Sequence, residues 1–507
     1  MTIHTFGAID VGSYEQELKI FEVSKARGIR AVDSLVRRVD LGSDTYQTGK
    51  IRSGNVREVG DILREFREVM NNYRVTEYKA YGTSAIREMD NASMVLSLWE
   101  QRSGIHVGVL SNSEQRFLDY KSAAAKIGDF DSIISDSCAI VDIGGGSIQI
   151  SLFSDGKLGA TQNLRLGILR LYEKIRSIDA RESQRDAMIS EMVDSQLEVF
   201  QKLYLNNRKV RNLIIVDDYI SALMQSRKME DVPAAAFIEY VRMARDMSVP
   251  EIARRVQIAD DNVPLLYISG VLMERIIEAF GTEHIWAPGI TLCDGIAYEF
   301  AEKQKILPPS HNFEEDIIAC AHNISRRYMG DETRGETIET IALRIFDALR
   351  KQYGLSKRER LLLRICAILH DCGKYISITN LAECSYNIIM STEIIGLSHI
   401  EREIVANVVR FNHSEFVYYE EQQNMSDLDL DAYLMIGRLT AILRLANGMD
   451  RSHKRKFEDF GLTLKPDRLQ INIRPGVDIT LEKGMFAHRA DFFEEIFGIR
   501  PVIRQKK

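Results

Sequence analysis

Two short stretches of the chain carry residue types whose spacing suits phosphate chemistry. The first is Ala8-Ile9-Asp10-Val11-Gly12-Ser13; the second is Val141-Asp142-Ile143-Gly144-Gly145-Gly146-Ser147. A strand that ends in aspartate and turns through glycine and serine directs backbone N–H groups into a concavity that accepts phosphate oxygens. Glycine lets a phosphate approach the backbone closely. Gly12, Ser13, Gly144, Gly145, Gly146 and Ser147 are therefore candidate phosphate-binding residues, the serine hydroxyls adding donors. Asp10 and Asp142 stand at strand ends, where a carboxylate suits a hydrated Mg²⁺ that neutralises phosphate charge.

The elements around these residues repeat. The apolar run Phe6–Ile9 leads into the first turn and Leu18–Phe21 follows it; Ala139–Val141 leads into the second, and Ile148, Ile150 and Leu152 then alternate with polar residues. Taken alone, the glycine run also reads as a plain hairpin turn. A dinucleotide fingerprint fits less well, because no helix opens directly after these glycines. The two aspartates lie 132 residues apart, a domain-sized spacing that predicts a duplicated α/β unit with two facing lobes. Between them the pattern predicts a helix over Val59–Tyr73, a strand over Glu77–Tyr81, and a helix over Ser113–Ile127 that Ser111 or Ser113 caps. Further on come a periodic stretch from Arg181 to Leu205, a buried strand at Leu213–Val216 and a strand-like run at Leu265–Ile268. Pro308-Pro309-Ser310 breaks the pattern, helical periodicity then runs to about Arg451, and alternation returns at Leu469–Ile473 and Ile479–Leu481 before a helix over Phe486–Phe497.

The chain has 507 residues, 45% hydrophobic and 27% charged, enough for several cores and without the composition of a disordered arm. Its formal net charge of −7 argues against long-range capture of nucleic acid, so no specific nucleic-acid partner is expected. The six cysteines form no CxxC pair and read as buried thiols in a reducing compartment. No apolar run reaches the roughly 18 residues that span a bilayer, and the N-terminus lacks a signal-peptide pattern. A cytoplasmic location without membrane contact is the expectation.

These motifs, together with Tyr81-Gly82-Thr83-Ser84-Ala85-Ile86-Arg87-Glu88, Ala367-Ile368-Leu369-His370-Asp371 and the run Leu443 to His453, resemble the Ppx/GppA family of exopolyphosphatases and guanosine pentaphosphate phosphohydrolases. The resemblance spans nearly the whole chain, with the motifs in the family's order and spacing. It implies an α/β fold of two actin-like (ribonuclease H-like) lobes, 1–128 and 129–307, then an all-α HD-like domain, 311–455, and a small α+β domain, 456–507. It implies Mg²⁺-dependent release of the terminal phosphate from inorganic polyphosphate or a guanosine pentaphosphate, with polyphosphate or a guanosine penta- or tetraphosphate as the bound partner, a homodimer, and Arg87 as a terminal-phosphate ligand.

The chain departs from that pattern at the positions that matter for hydrolysis. The family's Ser-Gly-x-Glu-Glu-Ala reads Ser111-Asn112-Ser113-Glu114-Gln115-Arg116 here, so the catalytic glutamate falls on Gln115 and its neighbour on Glu114. A second family glutamate, after the glycine run, is Gln149. An amide orients water but does not take its proton. A Gly-Gly turn expected after Val216 is Asp217-Asp218, which places negative charge where phosphate would approach. Three readings stay open: Glu114 acts as base after a local shift, Gln115 positions the water, or the chain is a catalytically inactive sensor that binds polyphosphate or nucleotide.

In the helical domain the resemblance implies a metal site at His370-Asp371, but the expected upstream histidine is Arg334 and the late aspartate is Asn447. A metal needs several convergent ligands, so a structural role for this pair is the favoured expectation. The basic run Arg451 to Lys456, with Arg326 and Arg327, reads either as a solvated face or as one side of a polyanion channel.

Overall fold

A computed structural model describes residues 3–178, 184–206, 208–226, 231–422 and 428–505, apart from the side chains at 218 and 422. Two compact units make up the chain, Met1–Phe313 and Glu314–Lys507.

The first unit contains two sheets. In one, strands β1 (His4–Val11), β2 (Glu15–Ser24), β3 (Gly28–Arg38), β4 (Glu77–Gly82) and β5 (Gly108–Val109) lie in the order β3-β2-β1-β4-β5. In the other, β6 (Cys138–Ile143), β7 (Ile148–Ser154), β8 (Lys157–Leu164), β9 (Asn212–Val216), β10 (Asp231–Pro233) and β11 (His284–Trp286) lie in the order β8-β7-β6-β9-β11-β10. The repeat is topological as well as local. β1 and β6 each pair antiparallel with the next strand and parallel with β4 or β9. The order 3-2-1-4-5 recurs with one added edge strand, and this defines two actin-like lobes. β6 is buried at every position, as expected of a central strand written as a continuous apolar run.

Each sheet is covered by helices. In the first lobe Val59, Leu63 and Phe66, on the helix Ser53–Asn72, pack with Ile9, Val11, Leu18 and Ile20. The other face of that sheet is covered by the helix Leu292–Lys303, whose Cys293, Ile296, Ala297 and Phe300 meet Phe6, Ala8 and Phe21. The expected second lobe, 129–307, thus ends in a segment that crosses back to complete the first. Leu265–Ile268 is not a strand but the start of the helix Val263–Phe280, with proline in its first turn. That helix is buried on most sides, so its apolar run carries no one-sided period for a reader to detect. The stretch from Arg181 is a helix over Arg185–Phe200 continued by a single π-type turn, with 181–183 outside the described residues.

The second unit is helical from Phe313–Arg327 to Leu430–Met449 and ends in a three-stranded sheet of β12 (Phe460–Leu464), β13 (Arg468–Ile473) and β14 (Arg500–Gln505). Ile479–Leu481 does not extend this sheet. Asp478 accepts from Thr480 N at 3.0 Å and from its hydroxyl at 2.6 Å, and this local turn starts the helix Thr480–Phe497. Among the described residues no helix is long and apolar enough to cross a membrane.

Candidate functional site

The two acidic turns are built alike. Gly12 N donates to Glu15 O at 2.9 Å, and Gly144 N donates to Ser147 O at 3.0 Å. A Cβ on Gly12 would stand 2.7 Å from Glu15 O, so the first turn closes only over glycine. The shared closure makes Gly12 the counterpart of Gly144 and Ser13 the counterpart of Gly145. Asp10 faces Glu17 across β1 and β2, as Asp142 faces Gln149 across β6 and β7.

The loops also touch. A Cβ on Gly145 would lie 3.0 Å from Ser13 Cβ and 2.9 Å from Leu169 Cδ1. Behind this contact Ser13 Oγ, Tyr46 OH and Ser84 Oγ form a closed triangle of hydrogen bonds at 2.8, 2.9 and 3.1 Å. The helix Ile168–Arg176 holds the glycine loop from the other side. Ile168 N donates to Gly144 O at 3.0 Å, and Leu169 and Arg170 N both donate to Gly145 O, at 3.0 and 3.1 Å. Arg170 Nε donates to Gly146 O at 2.9 Å while its guanidinium lies 4.3 Å above the Tyr46 ring.

In front of the loops lies a cleft of about 270 Å³. Of the residues singled out in the sequence, Asp10, Gly12, Ser13, Gly144, Gly145, Asp142 and Gln115 line it. The other expected site residues lie elsewhere. Gly146 faces the Tyr46 hydroxyl, Ser147 and Gln149 are buried, and Arg87 donates to Leu110 O at 2.5 Å while its charge favours an ionised Asp142. Glu114 is held in a capping box at the start of the helix Asn112–Lys126: Ser111 N and Oγ donate to its Oε2 at 3.0 and 2.8 Å, and its own N donates back to Ser111 Oγ at 3.2 Å. Its carboxylate serves the helix end and does not line the cleft.

Several lining residues were missed by sequence reasoning. Thr83 and Ser84 come from the turn after β4, inside the Tyr81–Glu88 motif, and Tyr14 and Tyr219 supply aromatic wall. Asp119 follows Gln115 by four residues, and both reach the cleft from one helix face. That i, i+4 spacing of two polar residues was the available signal. Gln115 Nε2 donates to Asp142 Oδ2 at 3.3 Å, and Asp119 hydrogen-bonds the same carboxyl.

Six carboxylates line the cleft: Asp10, Glu15, Glu17, Asp119, Asp142 and Asp217, with no lysine, arginine or histidine among its described lining residues. Burial raises the Asp142 carboxyl above the usual aspartate range; the nearby Asp217 adds to the rise, and Arg116 opposes it. Asp217 itself caps the helix Asp218–Gln225, accepting from Ile220 N at 2.6 Å and from Ser269 Oγ at 2.9 Å, while the Asp218 side chain lies outside the described residues. The negative charge expected here from Asp217 is therefore tied into a helix cap.

Burial pushes the Asp217 carboxyl up to about 6. With the folded pKa raised, the folded state keeps a proton that the unfolded chain loses, so this group's contribution to stability falls as pH rises from about 4 to about 6. A shift of about two units amounts to roughly 3 kcal/mol. Asp217→Asn keeps a capping side chain and is expected to remove that fall, which urea titrations of both proteins at pH 4 and pH 7 would measure.

In the second unit the two departures from the metal pattern meet each other: Arg334 Nη2 donates to Asn447 Oδ1 at 2.8 Å. His370, fully buried, donates from Nδ1 to Ala367 O at 2.8 Å, and its Nε2 lies 3.8 Å from Asp371 Oδ2. Asp371 accepts from Lys374 at 2.8 Å, and His413 Nε2 donates to His370 O at 2.7 Å. Burial lowers both histidines, His413 to about 4, so both are neutral near pH 7. Of the basic run, Lys456 pairs with the buried Glu482 at 2.9 Å, and Arg455 N donates to Asp450 at 3.1 Å.

Two lobes of matched topology, with matched acidic glycine turns around one cleft, define a protein of the two-lobed actin-like class. Residues 20–304 match the Ppx/GppA phosphatase family and residues 318–482 match domain III of Ppx/GppA phosphatases. The chain belongs to the Ppx/GppA phosphatase family.

It is 20% identical over 453 residues to a guanosine-5'-triphosphate,3'-diphosphate pyrophosphatase of Photobacterium profundum, covering 86% of each chain. A protein of the same name from Vibrio atlanticus is 20% identical over 474 residues, covering 90% of this chain and 91% of its own length. Among solved structures, an exopolyphosphatase from Cytophaga hutchinsonii shares the fold with a TM-score of 0.52 at 19% identity, over 60% of this chain and 99% of its own. The Ppx/GppA family member of Aquifex aeolicus has a TM-score of 0.50 at 18% identity, over 60% of this chain and 99% of its own.

Proposed function

We propose that this protein is a phosphohydrolase that releases the terminal phosphate of a guanosine pentaphosphate or of inorganic polyphosphate. The observation that carries the reading is the pair of identically closed Asp-x-Gly turns meeting at Ser13 and Gly145 above one cleft. Backbone N–H groups of two such turns suit a phosphate between them. The names of the relatives support the same chemistry.

A cleft lined by six carboxylates repels a bare polyanion, so ligand entry requires cations. The donor set fits Mg²⁺, a hard ion commonly held by one or two carboxylates plus substrate phosphates and water. Asp10 and Asp142 would hold it, and it would neutralise phosphate charge beside the glycine turns. Tyr14, Val36, Tyr219 and Leu265 give the cleft an apolar and aromatic wall, which a nucleoside covers and inorganic polyphosphate does not. This favours the nucleotide of the two substrates.

The second reading, a sensor that binds such a ligand without turning it over, is favoured by Gln115 and Gln149, amides at both family glutamate positions. Phosphate release from guanosine pentaphosphate and from polyphosphate, with Mg²⁺ and with EDTA, compared with Gly145→Val, tests both. Release that needs Mg²⁺ and exceeds the variant's is expected. Equal rates for the two proteins would sink the enzymatic reading, and calorimetric binding without release would leave the sensor.

A further inference from the structure

We propose that Arg38 makes the cleft selective for guanine, donating to the keto oxygen O6 of a purine seated against Tyr14 and Tyr219. The inference rests on the nucleotide reading above and adds to it the residue that distinguishes one base from another.

Arg38 is the last residue of β3, and Val36, two residues earlier on the same strand face, lines the cleft. The register partner of Arg38 on β2 is Glu15, which also lines the cleft and accepts from Arg38 Nε at 2.9 Å. The second lobe grips the same guanidinium. Asn262, 1% exposed, ends the short turn Asp260–Asn262 that leads into the helix Val263–Phe280, whose Leu265 is part of the cleft wall. With its amide oriented to suit its neighbours, Asn262 accepts from Arg38 Nε at 3.3 Å and from Nη2 at 3.0 Å, and it donates to Tyr14 OH at 3.3 Å.

Both lobes thus fix one guanidinium beside the aromatic wall. Tyr14 directly follows Ser13 of the first acidic turn, Tyr219 comes from the helix Asp218–Gln225, and both hydroxyls lie within electrostatic reach of Arg38. Glu15 and Asn262 occupy Nε and Nη2. Among the described residues none accepts from Nη1, and the side chain keeps 41% exposure, which leaves that donor to a ligand. Guanine presents acceptors at O6 and N7, whereas adenine presents an amino donor in place of O6. A guanidinium has donors only, so it favours the keto base and opposes the amino one. A base also has a flat face to lay on a tyrosine ring, which a polyphosphate chain lacks.

The test compares full-length wild type, Arg38→Met and Tyr219→Ala by calorimetry with Mg²⁺, using guanosine pentaphosphate, its adenosine counterpart and inorganic polyphosphate, with thermal melts reporting folding. Wild type is expected to bind the guanosine compound at least about tenfold more tightly than the adenosine one, and Arg38→Met to bring the two within about twofold, the scale of one hydrogen bond from a charged donor. Tyr219→Ala is expected to weaken both nucleotides at least about fivefold more than polyphosphate, as loss of base–aromatic stacking does. A wild type without guanine preference overturns this inference alone, as does a folded Arg38→Met that keeps the wild-type ratio. So does an equal loss on all three ligands, which would make Arg38 a phosphate ligand or a brace between the lobes. If Arg38→Met fails to fold, the wild-type ratio and Tyr219→Ala decide. A wild type that binds none of the three ligands overturns the function on which the inference rests.

Discussion

Gly167→Ala is expected to lower phosphate release by at least about 10²-fold and to destabilise the first unit by about 1–3 kcal/mol. Gly167 has an ordinary extended backbone (φ −64°, ψ 154°), so the cost is not one of left-handed geometry. A Cβ there would stand 2.2 Å from Gly146 C, 2.3 Å from Gly145 O and 2.3 Å from Ser147 N, all backbone atoms of the glycine turn. The turn is tied to the same helix end through the N–H groups of Ile168, Leu169 and Arg170, so it yields only by breaking those bonds. The N–H groups proposed to meet phosphate would move with it, and a displacement near 1 Å is enough to cost two decades of rate. Gly484→Ala, where a Cβ meets nothing within 4 Å, is the control and should leave rate and unfolding midpoint nearly unchanged. A Gly167→Ala protein with wild-type kinetics would show that the contact between helix and loop has no bearing on the site.

The second large effect belongs to the helical unit. Arg334→Ala is expected to destabilise it by about 3–5 kcal/mol in chemical denaturation, the scale for removing one partner from a buried charged group. Arg334 is 6% exposed and stands near Asp371 and Asp450, both only a few per cent exposed, as well as donating to Asn447. Removing the guanidinium leaves two buried carboxyls without that charge and Asn447 Oδ1 without that donor. Arg334→Met, which keeps volume but not charge, should lose almost as much. A loss below about 1 kcal/mol for both would mean that Lys374 and the Arg455 backbone N–H already satisfy the two aspartates.

The strands and turns around Asp10 and Asp142 were legible because their signals are local: an apolar run, an acidic residue, glycines, then alternation. Burial on one or both faces writes itself into such runs at period two or as a continuous stretch. The helix Val263–Phe280 and the turn at Asp478 were misread for the opposite reason. Burial on most sides erases the helical period, and at Asp478 two hydrogen bonds to one side chain make a local turn where the alternation suggests a strand. Glu114 illustrates the limit for chemistry: its spacing from Ser111 fits a capping box as well as it fits a catalytic motif, and the hydrogen bonds decide for the cap.

By itself, then, the sequence determined that the chain repeats one strand, acidic turn and strand unit, and that Gln115, Gln149, Arg334 and Asn447 depart from a familiar pattern. These follow from residue type and short spacing. Only the tertiary structure decided which carboxylates reach the cleft, that Gly145 rests on Ser13, that Gly167 braces the glycine turn, and that Arg334 meets Asn447. Each of those joins residues far apart in the chain, and no local propensity encodes which distant backbone a glycine must clear or which buried charge an arginine must balance.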